Sequence, residues 1–150
     1  MKFEMHTNIK TKKGFSLIEI MVVLAIMGLL AAIVAPNVIG ALQKGKGQKV
    51  RADFTTLETA LKMYKMDNGF YPTTDQGLEA LVTAPSGSPE PRSYPSEGYM
   101  PRLPQDPWKG EYVYQSPGDG RPYDVYTLGS DGLEGGEEEA ADVSIWDKPE

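Results

Sequence analysis

The sequence predicts an α+β chain: a long amino-terminal helix, membrane-spanning in its first half and packed in its second, with a small antiparallel β-sheet head. Three observations lead there. Ile20 to Ala35 is a run of sixteen residues without a charge or a strongly polar group. Beyond it, Val50, Phe54, Leu57, Leu61 and Tyr64 step by 4, 3, 4 and 3, the spacing of one helix face. Two short runs rich in tyrosine and valine then flank Pro117-Gly118-Asp119-Gly120, the pattern of a hairpin.

The apolar segment reads as a single-pass anchor. Phe15 to Ala35 spans 21 residues, ~30 Å as a helix, which matches the hydrocarbon thickness of a bilayer. An ordinary secretory signal fits less well, because Glu19 lies inside the segment and no Ala-x-Ala cleavage site closes it. Lysines 2, 10, 12 and 13 precede the run and none follows directly, which places the amino terminus on the cytoplasmic side. Glu19 is the anomaly. A carboxylate at the edge of a membrane-length segment is costly in lipid and calls for a partner. Cleavage after Gly14 would make Phe15 a charged terminus, which the carboxylate of a neighbouring copy could neutralise.

Past the anchor, Val38, Ile39 and Leu42 carry the helix toward the packed stripe, which ends at Asp67-Asn68-Gly69 with Gly69 as a left-handed cap. The helix then runs from about Ser16 to about Asn68, on the order of 75–80 Å. Pro36 lacks an amide and is expected to kink or loosen the preceding turn, and Gly45 and Gly47 each cost about 1 kcal/mol relative to alanine. Gly28 and Pro36 bracket a stretch where the helix could unwind; Gly28 also reads as a small packing residue of a membrane helix.

Tyr71 to Gln76 reads as a turn, with a short helix from about Asp75. Residues 83–101 contain prolines 85, 89, 91, 95 and 101, the composition of a mobile loop. Strands follow over 108–115 and 123–128, and Val143, Ile145 and Trp146 form a third.

Composition excludes several classes of function. The only histidine is His6 and there is no cysteine. A chain lacking its first fourteen residues therefore has no Ser-His-Asp or Cys-His catalysis, few options for zinc, and no disulfide. No motif sets two carboxylates across a pocket, so an enzyme is not expected. Without the leader the formal charge is −9, from 11 basic and 20 acidic residues, which argues against nucleic acid. Lys44, Lys46, Lys49 and Arg51 form a basic stem segment, whereas residues 119–150 hold ten acids against Arg121 and Lys148. These are either solvated faces or a basic stem that meets the acidic head of another copy.

Lys13-Gly14-Phe15-Ser16-Leu17-Ile18-Glu19 and the apolar run resemble the prepilin signature of type IV pilins and type II secretion pseudopilins. The head sharpens the likeness. Tyr71-Pro72-Thr73-Thr74-Asp75-Gln76-Gly77-Leu78, Arg102-Leu103-Pro104-Gln105-Asp106-Pro107-Trp108, Leu128-Gly129-Ser130-Asp131-Gly132, Gly135-Gly136-Glu137, Asp142-Val143 and Trp146 stand in the order seen in the major-pseudopilin, or G-subunit, family of type II secretion systems. The resemblance implies a pilin-like fold and three segments: a prepilin leader (1–14), a transmembrane and assembly helix (15–39), and a periplasmic head (40–150). It implies cleavage between Gly14 and Phe15 by a prepilin peptidase, methylation of Phe15, and assembly through Glu19, Gly28 and Pro36. The partners it implies are further copies of the chain in a homopolymeric fibre, other pseudopilins, and the inner-membrane assembly platform. The fibre would drive export of folded proteins.

The resemblance also implies calcium where many type IV pilins carry a disulfide. Calcium takes six to eight oxygens, and Leu128–Asp142 supplies six acids but no EF-hand pattern. Carried over by position, the ligands are the Leu128 carbonyl, Asp131 and Asp142. Ala140 stands where relatives often place an acid or an amide, with Glu138 and Glu139 beside it, and Glu139 is the expected replacement. A solvated acidic loop is the competing reading. Two rivals remain for the whole chain: a type IV pilin of a surface fibre, and a secreted calcium-binding or hydrolytic domain behind an ordinary signal.

Overall fold

The computed structural model describes residues 14–148. The chain parts into two compact units after Ala41, and each is described by itself.

In the first unit, helix α1 (Leu17–Asn68) begins and runs without interruption through Pro36. Its side chains from Leu17 to Ile39 are exposed. It is the one helix among the described residues with the length and composition to cross a membrane, and its most apolar window buries none of its side chains. A helix that is apolar on all sides needs an apolar surrounding. The expected interruption at Pro36, Gly45 and Gly47 is not seen. One proline removes a single ladder bond, and the neighbouring turns hold; Asn37 Nδ2 donates to the Ile33 carbonyl at 3.2 Å across that turn.

In the second unit, α1 supplies the core. Val50, Phe54, Leu57, Leu61 and Tyr64, the stripe read from spacing, are all buried, with Ala60 beside them. They cluster with Leu78, Leu81, Met100, Tyr112, Tyr114, Tyr123 and Val125. The aromatic rings meet at tilted or edge angles, as for Phe54–Tyr112 (5.4 Å) and Tyr64–Tyr99 (5.3 Å), as ring quadrupoles favour. The α1 helix ends where expected: Gly69 adopts φ +88° and donates its amide to Lys65 at 2.7 Å, the left-handed cap that glycine adopts without strain.

Strands β1 (Val113–Gln115), β2 (Asp124–Thr127) and β3 (Val143–Ser144) form an antiparallel sheet in the order β1-β2-β3. The register pairs Tyr114 with Val125 and Thr127 with Val143. Val125 and Thr127 are buried while Asp124 and Tyr126 are half-buried, the two-residue alternation of a strand with one covered face. The first strand is shorter than 108–115. Asp106 accepts amide bonds from Trp108 and Gly110, and this turn occupies the first residues of the expected strand.

One further expectation is corrected, and one gains detail. No helix starts at Asp75. Thr73 and Gln76 cap one another reciprocally at 3.1 and 3.2 Å, but Gly77 at φ +63° breaks the chain direction. Only a 3₁₀ turn, Leu78–Leu81, follows. The proline-rich segment is tied down. Asn68, buried at the end of α1, accepts from Ser93 N at 3.0 Å and donates to Tyr64 O and the Tyr99 hydroxyl. Tyr94 donates to Ala80 O, and Gln76 donates to Pro89 O. Burial first, then the hydrogen bond to Asp67, pushes the Tyr99 hydroxyl up to about 12. Composition marks a loop but does not reveal such anchors.

Candidate functional sites

Two separate sites emerge. At the start of α1, Ser16 is the last residue outside the helix. Its carbonyl accepts from Glu19 N at 3.1 Å and Ile20 N at 3.2 Å. Glu19 Oε2 reaches back to Ser16 N at 3.4 Å. Ser16-Leu17-Ile18-Glu19 is thus a capping box without its serine half: the acid reaches back to satisfy an orphan donor. The S-x-x-E spacing carried this signal, and a reading that sought only an intermolecular partner for Glu19 missed it. A carboxylate also lies favourably at a helix amino terminus. Gly14 and Phe15 are exposed ahead of the helix, and the leader residues 1–13 lie outside the described part. Apart from the helix's own neighbouring backbone, no described atom lies within 4 Å of where a side chain on Gly28 would begin.

The second site is the loop from Leu128 to Asp142. Its neck is narrow. Ser130 N donates to Glu139 O at 2.8 Å, and Gly129 at φ +66° passes so close that a Cβ there would stand 2.7 Å from Glu139 O. Asp142 Oδ2 accepts from Gly135 N at 2.9 Å. Its other oxygen, Oδ1, is buried without any hydrogen-bond partner. A buried carboxylate oxygen facing no donor is costly. Asp131 is exposed, and its Oδ1 accepts from Leu133 N at 3.0 Å. Among the described residues no three acidic or histidine side chains gather in one cluster, so an ion here would draw on main-chain carbonyls as well. Oxygen donors alone suit calcium or magnesium rather than zinc. Burial, then the charges of Glu134, Asp142 and Asp124, raises the Tyr126 hydroxyl above its ordinary value.

Glu139, expected to fill the gap left by Ala140, is engaged elsewhere. Both its carboxylate oxygens lie within 3.2 Å of Lys46 Nζ, whose ammonium also stands 5.4 Å from the centre of the Trp108 ring. Glu138 is exposed and holds a left-handed φ of +53°. The basic stem and the acidic loop therefore meet within one chain, where the charge distribution alone suggested solvated faces or a contact with another copy. Lys49 likewise turns to Asp53 and to the Gln105 carbonyl.

An apolar, acid-capped amino-terminal helix and a three-stranded head joined to a glycine-rich acidic loop define a pilin-like subunit. The sequence profile of the prokaryotic N-terminal methylation motif matches residues 9–35, and that of type II secretion system (T2SS) protein G matches residues 37–146. The chain belongs to the type II secretion system protein G family. The type II secretion system core protein G of Vibrio cholerae serotype O1 is 55% identical over 137 residues, covering 91% of this chain and 93% of the relative. That of Pseudomonas aeruginosa is 47% identical over 138 residues, covering 92% and 97%. The crystal structure of the major pseudopilin from the type 2 secretion system of enterohaemorrhagic Escherichia coli superposes with a TM-score of 0.66 at 46% identity, covering 74% of this chain and 95% of that one. The role of the family is structural and not enzymatic.

Proposed function

We infer that copies of this chain polymerise through their apolar helices into a periplasmic pseudopilus whose growth drives folded proteins out of the cell. The chain is a structural subunit of that pseudopilus. In this reading it is held in the inner membrane by α1, with its amino terminus cytoplasmic and its head periplasmic. A prepilin peptidase cuts after Gly14 and methylates Phe15, and the assembly platform and other pseudopilins are its partners. The observation that carries the reading is Glu19: a carboxylate at the head of an unburied apolar helix that, among the described residues, holds only a long bond to Ser16 N. Assembly exchanges that bond for the charged terminus of a neighbour. Intact-mass spectrometry of the membrane fraction tests the processing. The expected species begins at Phe15 and carries one methyl group; a chain beginning near Pro36 would instead mark a secreted domain behind an ordinary signal.

The loop is the second part of the proposal. Calcium is held by the Leu128 carbonyl, Asp131 and Asp142, with Asp142 Oδ1 as the oxygen lacking a donor. Bound there, the ion neutralises the like charges of an acidic loop. Ala140 leaves the set one oxygen poorer, so Ala140→Asp is expected to tighten binding in calorimetry.

A further inference from the structure

We propose that Asp106 is the positioning residue of the acidic loop, fixing both sides of its neck from a buried site outside the loop. As a consequence for metal affinity, this rests on the calcium reading above; as a statement about the neck, it does not.

Asp106 is 4% exposed. A carboxylate only accepts hydrogen bonds, and here two oxygens take three donors: Trp108 N at 2.9 Å, Gly110 N at 2.7 Å and the Thr127 hydroxyl at 2.6 Å. Two arms lead from it to the loop. The first runs through Thr127, a fully buried residue at the end of β2. With its proton committed to Asp106 Oδ2, the Thr127 oxygen is left to accept, and Gly129 N donates to it at 3.3 Å. This sets the direction of the chain on either side of Leu128, whose carbonyl is the candidate ligand. The second arm runs through Trp108, whose amide Asp106 holds. The indole ring lies against Lys46, and Lys46 grips Glu139 on the far side of the neck. Ser130 N to Glu139 O joins the two sides.

The arms differ in strength. The hydroxyl–carboxylate bond is buried and charge-assisted, the stronger kind. The Lys46–Glu139 pair is partly exposed, with side-chain accessibilities of 23% and 37%, so solvent weakens it. Thr127 is therefore the lever. The neck should stay closed when the ion is removed, while the acidic tip between Asp131 and Glu138 opens.

The test uses the full mature chain in detergent micelles. Amide hydrogen exchange is followed in wild type, Thr127→Val and Thr127→Ser, each in chelator and in calcium chloride, with calcium titrated calorimetrically. Thr127 is varied first, because removing Asp106, a buried acceptor of three donors, threatens the whole fold. In chelator, Gly129 and Ser130 are expected to exchange about tenfold faster in Thr127→Val than in wild type, with Leu57–Leu61 unchanged. Serine, which keeps the hydroxyl, restores protection. Calcium affinity should fall by about tenfold in the valine variant and recover in the serine variant. Equal exchange at Gly129 and Ser130 in wild type and Thr127→Val overturns the proposal. So does a uniform acceleration that includes Leu57–Leu61, which would mark a general loss of stability. A wild type that takes up no calcium overturns the metal reading and the affinity consequence, while the exchange comparison still decides whether the buried Asp106–Thr127 arm sets the neck. Asp106→Asn, which keeps one acceptor oxygen, is expected to speed exchange at Ser130 as Thr127→Val does. Unchanged Ser130 exchange in a folded Asp106→Asn overturns the role of Asp106.

Discussion

One helix carries two different kinds of sequence. From Leu17 to Ile39 its apolar residues face every direction and all stay exposed. From Val50 to Tyr64 a stripe of them, Val50, Phe54, Leu57, Leu61 and Tyr64, falls on one face and is buried to 6% exposure or less, while Met63 on another face stays 49% exposed. Helical backbone geometry is common to both, so the difference lies in what each segment is matched to. A stripe is matched to a partner surface within the fold, and an all-round apolar surface is matched to a surrounding medium or to other helices. The first half stores its interaction energy for later contacts, whereas the second has already spent its own on the head.

Breaking the first half should abolish assembly while the head stays folded. Glu19→Val is expected to leave membrane insertion intact and to eliminate fibres by electron microscopy and cross-linking; wild-type fibre levels would remove the argument for charge pairing. Breaking the second half should do the reverse. Leu57→Ala and Leu61→Ala, at fully buried positions, should each cost about 2–5 kcal/mol in denaturant unfolding. An unchanged unfolding midpoint for both would contradict the packed stripe.

The acidic loop sharpens the comparison, since its order is expected to come from an ion rather than from apolar contact. Calcium at a hundredfold excess over its dissociation constant should add about 2.7 kcal/mol to the stability of the head. Asp142→Ala should abolish that increment, read as the difference in melting temperature between calcium and chelator. The smallest effect is reserved for Met66, which lies on the packed half of α1 but is 83% exposed. Met66→Ala should change stability by no more than about 0.5 kcal/mol. A larger loss would mean that the helix face is not read correctly.

Periodic and local features were legible in the sequence. The anchor, the buried stripe, the Gly69 cap and the hairpin around Pro117–Gly120 all follow from spacing or from turn chemistry within a few residues. Features set by contacts between distant residues were not. Nothing near Glu139 announces Lys46, 93 positions away, and nothing near the proline-rich segment announces Asn68. The quoted Gln105-Asp106-Pro107-Trp108 block marked the family, yet the task of Asp106 emerged only once Thr127, 21 residues later, was seen against it. The capping box at Ser16–Glu19 is the opposite case, local and readable, but overshadowed by the search for a distant partner.

The neck of the acidic loop has a consequence in time. It is closed by Ser130–Glu139 and Thr127–Asp106 hydrogen bonds, in a chain without cysteine. Closing a loop of about ten residues takes roughly 10–100 ns, whereas forming a disulfide takes seconds to hours and requires an oxidant. A subunit built this way reaches its final shape as soon as its chain folds. With no cysteine to pair, no thiol-oxidising enzyme stands between synthesis and use.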